Sequence, residues 1–396
     1  METKKVNIIL SAIIFCLTLI ISFKIALPPQ ETEVSAPTTT KTSQQRTTSS
    51  KKSTPKKEES TTEEKEDNKI DQMMKKMSLE EKVGQLVLAR VPESNAIQDV
   101  QKYQLGGYIL FDRDYQGLTV QMVRNNIDAY QKAAKIPMLM ASDEEGGTVS
   151  RLNQAGFGTF PSPQALYQSG GFHAIKEDIK KKSELFERLD LNAGMAPDAD
   201  IATSPNSFIY PRTFSTDLEL TKKFVTISVE TMQKYHIAST LKHFPGYGDQ
   251  GDSHMEVIRD PRSKEELQAG LQPFKAGIDA GADSILVEHN IVEAYDDKNP
   301  ASLSPAIHKL LRDTLNFKGV IMTDDMDMKG LSTLMTQEEA AIQAIKVGND
   351  MIITSSYATQ IPALVQAVKD QRIKEQTVDD SCRRILKWKE ELGIIS

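Results

Sequence analysis

Apolar positions along most of the chain fall into short β-branched runs separated by stretches of helical periodicity. The runs are Val83–Arg90, Gly107–Phe111, Pro137–Ser142, Leu191–Ala196, Ile237–Leu241, Ser284–Val287, Gly319–Thr323 and Asn349–Thr354, and each reads as a strand. Between most of them the spacing is helical, as in Val120–Ala134 and Ala341–Val347; Leu310–Leu315 ends a third helix, and Thr377–Leu392 reads as a closing one. Strand–helix alternation repeated eight times predicts an α/β fold of the (β/α)8 TIM barrel type. A doubly wound open sheet is the alternative. It would be expected to carry a glycine-rich phosphate loop after its first strand, and none follows Val83–Arg90.

The N-terminus reads as a separate unit. An almost unbroken apolar run, Ile8 to Phe23, follows Lys4 and Lys5. At about 1.5 Å per residue the run reaches roughly 24 Å, short of a bilayer core of about 30 Å. Adding Ile25 to Leu27, with Lys24 snorkelling, brings it near spanning length. Residues 1–27 are therefore expected to be an uncleaved signal anchor, lysines inside, with the rest of the chain on the outer, cell-wall side of the membrane. The alternative is a cleaved signal peptide and a secreted protein, but no small-x-small site follows the run. Residues 28–69 are Thr, Ser, Lys, Glu and Pro with almost no large apolar residue, and are expected to be a disordered tether.

Residues 70–396 are ample for one large domain. They hold 37 Lys/Arg and 46 Asp/Glu of the whole chain's 48 and 55, a net charge of −9. That balance argues against nucleic acid as a partner. The only cysteines are Cys16 and Cys382, so no disulfide forms within the domain. A monomer without a cofactor is expected.

The strand ends carry the chemistry. They run into Asp112-Arg113, Asp143-Glu144, Asp198 with Asp200, Lys242-His243, Glu288-His289 and Asp324-Asp325. Barrel enzymes place their reactive groups on the C-terminal ends of strands. Asp324, at the mouth of the strand in GVIMTDDM, is a carboxylate that can act as a nucleophile; Asp324 or Asp325 could instead cap the next helix. Asp143, in SDEEGGTVSR, would point into the mouth, with Arg151 a short distance on. Arg212, in IYPRTFS, is a loop arginine. Glu288 and His289 line the same cavity or pack beneath it.

The stretch KHFPGYGDQGDSH, Lys242 to His254, gathers two His, two Asp and a Lys in one loop shaped by Gly246, Gly248 and Gly251. Asp252 and His254 look like an imidazole with its orienting carboxylate, which is acid–base machinery. The plain alternative is a polar surface turn.

KMSLEEKVGQLVLAR at Lys75, DEEGGTVSRL at Asp143, APDADI at Ala196, the Lys242 stretch and GVIMTDDM at Gly319 together resemble the glycoside hydrolase family 3 catalytic barrel, in that family's order. The Asp-Ser-His segment is similar to the single-domain β-N-acetylglucosaminidase (β-N-acetylhexosaminidase) branch. The resemblance implies Asp324 as nucleophile, His254 as acid/base and Asp252 as its orienting carboxylate. It also implies that Asp143, Arg151, Arg212, Lys242 and His243 hold the sugar, with no metal. Four features depart from the family pattern. Tyr247 stands where His is usual, Glu144 where Gln is usual and Thr148 where Arg is usual, and the loop before Asp252 is one residue short.

The activity so implied is retaining hydrolysis of terminal β-linked N-acetylglucosamine from cell-wall muropeptides or related glycans. A neutral His, unlike a Glu, would not repel a phosphate acceptor. Two other classes compete. One is a metal-dependent barrel hydrolase with ligands among His243, Asp249, Asp252, His254 and Asp324. The other is a catalytically silent glycan-binding wall protein.

Overall fold

The computed structural model describes residues 69–395. The expected anchor at 1–27, and the expected linker at 28–69 but for its last residue, lie outside the described residues. Among the described residues no helix is long and apolar enough to cross a membrane.

Seven parallel strands form one sheet: β1 (Val87–Arg90), β2 (Gly107–Leu110), β3 (Leu139–Ser142), β4 (Thr240–Phe244), β5 (Ser284–Val287), β6 (Val320–Asp325) and β7 (Met351–Thr354). Their order is β3-β2-β1-β7-β6-β5-β4. The first strand thus pairs with both the second and the last, with Val87 opposite Ile352 and Leu88 opposite Gly107. A doubly wound sheet does not join its first and last strands in this way.

The expectation of eight strands is corrected here. The stretch Leu191–Ala196 forms no ladder. It meets its neighbours through scattered backbone hydrogen bonds, such as Ser142 N–H to the Ala193 carbonyl and Ala238 N–H to that of Asn192, and through the isolated bridges Ala141 to Ala193 and Ala193 to Ala238. The local chemistry explains this. Pro197 has no N–H to donate, Met195 sits at φ 39°, and the Asn192 side chain, not a backbone carbonyl, accepts the Met140 N–H at 2.9 Å. The observed architecture is a seven-stranded parallel α/β sheet, with 191–196 lying between its edge strands β3 and β4.

The first expected strand is also shorter than its sequence suggested. Ser78 and Glu81 form a reciprocal capping box that starts a helix over Leu79–Gln85, so β1 begins only at Val87. Helices Val120–Ala133, Leu218–Lys234, Lys264–Asp279 and Gln337–Val347 return the chain between strands. The helix Glu375–Glu391 follows β7. Strand residues such as Val87, Ile321 and Ile352 are fully buried, as expected of a parallel sheet covered on both faces.

Two ladders lose register, between Leu241 and Phe244 in β4 and between Met322 and Asp325 in β6. Such irregularities re-aim side chains next to functional sites. Here they fall on Lys242, His243 and Asp324.

Candidate active site

At the C-terminal ends of the strands lies a cleft of about 450 Å³. Seven residues singled out from the sequence line it: Asp143, Arg151, Arg212, Lys242, His243, His254 and Asp324. The eighth, Asp252, stands behind His254.

One wall is a buried ionic network. The Lys242 ammonium donates to Asp143 at 2.8 Å and lies 2.6 Å from Glu145. Arg212 grips Glu145 with two hydrogen bonds, at 3.0 and 2.7 Å. A short hairpin makes this possible. Residues 144–146 pair with 149–150 around Gly146 and Gly147, both at positive φ, and turn the chain so that Arg151 reaches back to Asp143 at 3.1 Å. At Gly146 a Cβ would lie 2.4 Å from the Pro161 carbonyl oxygen, so only glycine fits. Burial alone would raise the pKa of Asp143, but Lys242 and Arg151 outweigh it and hold the acid well below the usual range. Burial is likewise outweighed at Glu145 by Arg212 and Lys242, so both acids stay ionised.

His243 is fixed at both ring nitrogens. Its Nε2 lies 2.8 Å from Arg212, which can only donate, so Nε2 accepts and Nδ1–H donates to Asp200 at 2.7 Å. Burial and then Arg212 lower its pKa, keeping the ring neutral. Asp198, Asp200 and His243 each bring one potential ligand atom within 4.8 Å of the others. The Arg212 guanidinium already stands against this group, with Nε 3.7 Å from Asp198, so the cation these acids face is Arg212. The metal set considered from sequence does not assemble: Asp249 turns away to accept the Thr203 and Ser204 N–H groups at 2.9 and 2.8 Å.

Asp324 closes the floor. Its Oδ1 accepts the Asp325 N–H at 2.8 Å, while Oδ2 is shielded from solvent and has no partner among the described residues. Burial would raise its pKa, but His243, His289 and His254 prevail and lower it. Asp325 also lines the cleft. It pairs with Arg90 at 3.4 Å, and burial pushes its carboxyl up to about 6. Neither acid caps a helix; the next one, Lys329–Ser332, is preceded by Met328. His289 lies beneath the cleft, fully buried between Ser302 and the Asp325 carbonyl. Glu288 is buried beside it, with neither carboxyl oxygen partnered among the described residues; burial, then Asp200, raises its pKa well above normal.

The opposite wall is a loop. His254 Nδ1 lies 2.7 Å from Asp252, whose oxygen also accepts the His254 backbone N–H. Tyr247, at the position where the family has His, is fully buried, and its hydroxyl lies 2.6 Å from that of Ser253. Its ring packs edge-on to Phe208. From the other side, the Gly330 N–H donates to the Ser253 carbonyl at 2.9 Å. The residue just before His254 is thereby held from two sides.

Sequence reasoning missed Glu145, Asp200, Arg90, Phe111 and Lys329 as site residues. Arg90 and Arg151 lie over the Phe111 ring, 4.0 and 5.0 Å from its centroid. Asp200 was visible only as an acid following a strand-like run. Nothing in the sequence marked Lys329.

Carboxylates, an Asp–His pair and a bidentate guanidinium opening on one polar cleft make up a glycosidase-type site. Residues 78–388 match the family model described as the glycosyl hydrolase family 3 N terminal domain, and the chain belongs to that family. It is similar to a beta-hexosaminidase of Haemophilus influenzae, 31% identical over 63% of this chain and 72% of that protein. It is also similar to one of Vibrio cholerae, 32% identical over 64% of this chain and 76% of that protein. Among solved structures, it resembles a glycoside hydrolase family 3 beta-N-acetylglucosaminidase from Paenibacillus sp. str. FPU-7, 31% identical with a TM-score of 0.76. That match covers 80% of this chain and 63% of the Paenibacillus chain.

Proposed function

We propose that the chain is a retaining β-N-acetylglucosaminidase acting on terminal β-linked N-acetylglucosamine. The Asp324 carboxylate attacks the anomeric carbon and the glycosidic C–O bond breaks. His254 Nε2–H gives its proton to the departing oxygen. In the second half His254 takes a proton from water, whose oxygen displaces Asp324 and releases the sugar. Asp252 holds the imidazole by Nδ1 and stabilises its charged form. Lys242, Asp143, Arg151, Arg212 and His243 hold the sugar through fixed donors and acceptors, so little reorganisation is needed on binding.

One observation carries this reading: an ionised carboxylate, Asp324, and a carboxylate-backed histidine, His254, line the same cleft. The relatives named as beta-hexosaminidases support the sugar chosen. Cell-wall muropeptides are the substrate proposed. Action outside the cytoplasm rests on the sequence of residues 1–69 alone, and fractionation of activity tests it.

The test of chemistry is Asp324→Ala with a 4-nitrophenyl N-acetyl-β-glucosaminide. Turnover should fall on the order of 10⁴-fold or more, as when other covalent nucleophiles are removed. A slow fluorosugar substrate should leave a glycosyl mass on the wild type and none on the variant. A variant that still takes up that mass moves the nucleophile elsewhere, Asp325 first. A wild type that binds the glycoside without turning it over is a silent binder.

A further inference from the structure

Four of the five lysines and arginines that line the cleft are ion-paired, whereas Asp324 and Asp327 have no ion-pair partner among the described residues. Arg90 is paired with Asp325, Arg151 with Asp143 and Asp112, Arg212 with Glu145, and Lys242 with Asp143 and Glu145. Asp327, which also lines the cleft, is taken up by the Ser355 N–H and the Thr354 and Ser356 hydroxyls. One lining cation remains: Lys329 is exposed, and its ammonium meets no acid or acceptor among the described residues.

The position of Lys329 is set by its neighbour. Gly330 donates its N–H to the Ser253 carbonyl and lies so close that a Cβ there would come within 2.6 Å of that oxygen. Lys329 is therefore mounted next to the loop that carries His254, on the side where the proton is delivered and the leaving group departs. Met255, the next residue of that loop, is 63% exposed.

We propose that Lys329 forms a subsite for an anionic oxygen group, a carboxylate or phosphate, held next to the anomeric centre. This rests on the glycosidase reading above. The source favoured is the aglycone: an acidic substituent on the leaving group would meet an unpaired ammonium at the His254 side of the cleft. A free oxyanion acceptor would use the same ammonium. Its oxygen would attack the anomeric carbon as the Asp324 ester bond breaks, releasing the sugar 1-phosphate.

The experiment compares two aryl N-acetyl-β-thioglucosaminides, which bind without being hydrolysed, one with a ring carboxylate and one with its methyl ester. Their Kd values are measured by calorimetry for the wild type, Lys329→Met and Lys329→Glu. An exposed ion pair is worth about 0.2–1 kcal/mol, so the preference for the carboxylate should fall up to about fivefold in Lys329→Met. It should fall further in Lys329→Glu, and in the wild type it should shrink as salt is raised. In parallel the O-glycosides are turned over with and without inorganic phosphate. A sugar 1-phosphate product that Lys329→Met loses, with the carboxylate preference unmoved, assigns the subsite to the free oxyanion. Equal binding of carboxylate and ester in all three proteins, with no phosphate-dependent product, overturns the proposal. Failure of the O-glycosides to turn over would sink the glycosidase reading instead, since the thioglycoside binding does not depend on catalysis.

Discussion

On one side of the cleft Lys242 is 2% exposed and shared between two carboxylates, one of them also gripped by Arg212. On the other, the His254 side chain is 50% exposed and answers to a single carboxylate two residues away. Burying an ion costs several kcal/mol, which excellent geometry and further hydrogen bonds have to offset. The buried wall meets that condition only as a set, with every charge answered by another element of the fold. The loop side stays in water, where its charges cost little. On the mechanism proposed above, His254 gives up and regains a proton in each cycle and has reason to be there. A wall that only recognises a sugar is better built dry and rigid. The contrast therefore separates residues whose loss should damage the fold from residues whose loss should damage only the chemistry.

The sharpest test of that separation is His254→Ala. General acid–base help is worth about 10²–10⁴-fold, and the loss should fall on substrates with poor leaving groups. Aryl glycosides need little protonation, so their first step should suffer less. The glycosyl-enzyme should then accumulate, and azide should restore turnover. Because the side chain is exposed, unfolding free energy should stay within about 0.5 kcal/mol of wild type. A thermal melt that collapses would erase the distinction between the two walls. Equal losses on all substrates, with no azide rescue, would make His254 a sugar contact.

Lys242→Met is the counterpart. It leaves Asp143 and Glu145 buried and short of a partner, and breaking such a set from one side costs about 3–5 kcal/mol. Urea unfolding should show that loss in the free protein, before any question of activity. A variant of wild-type stability would mean the wall is hydrated in solution and the contrast with the loop is overstated.

The sequence exposed the two walls unequally. Asp143, Lys242, His243 and Asp324 could be picked out because each sits at or beside the end of an apolar run, and a parallel sheet brings such ends together. Asp252 and His254 could be paired because they are two residues apart. The partners that hold the buried wall were hidden. Glu145 looks like one more acid in a turn, and its role comes from Arg212 and Lys242, 67 and 97 residues further on. Lys329 is marked only by Gly330 packing on Ser253, a contact between distant segments. The expected fourth strand failed for local reasons, with Pro197 and the positive φ of Met195 defeating an otherwise apolar run. The first was shortened by the capping box of Ser78 and Glu81, which hydrophobic pattern alone does not weigh.

The smallest effect concerns the acid between the two clamped ones. Asp143 and Glu145 each meet cations, whereas Glu144 meets the Ser142 and Ser150 hydroxyls at 2.9 and 2.6 Å and the Leu152 N–H at 3.1 Å. Burial pushes its carboxyl up to about 7 against these donors and the more distant Lys182. In the unfolded chain it titrates near 4.5. Between the two values the folded protein keeps a proton that the unfolded chain gives up. The stability this proton contributes is therefore whole below about pH 4.5 and lost as pH rises through about 7. Glutamine, the residue usual in the family at this position, has no proton to lose. It also suits the site: its oxygen can accept from Ser142 and Leu152, and its amide can donate to the Ser150 hydroxyl, which has only to rotate. Glu144→Gln should thus gain on the wild type across that window, by at most about 1.4 kcal/mol per pH unit, and hold the gain above it. Urea unfolding at pH 4.5, 5.5, 6.5 and 7.5 measures the difference. A difference that does not change with pH would mean that Glu144 ionises as readily as its two neighbours, and that the buried wall is more polar around it than its hydrogen bonds suggest.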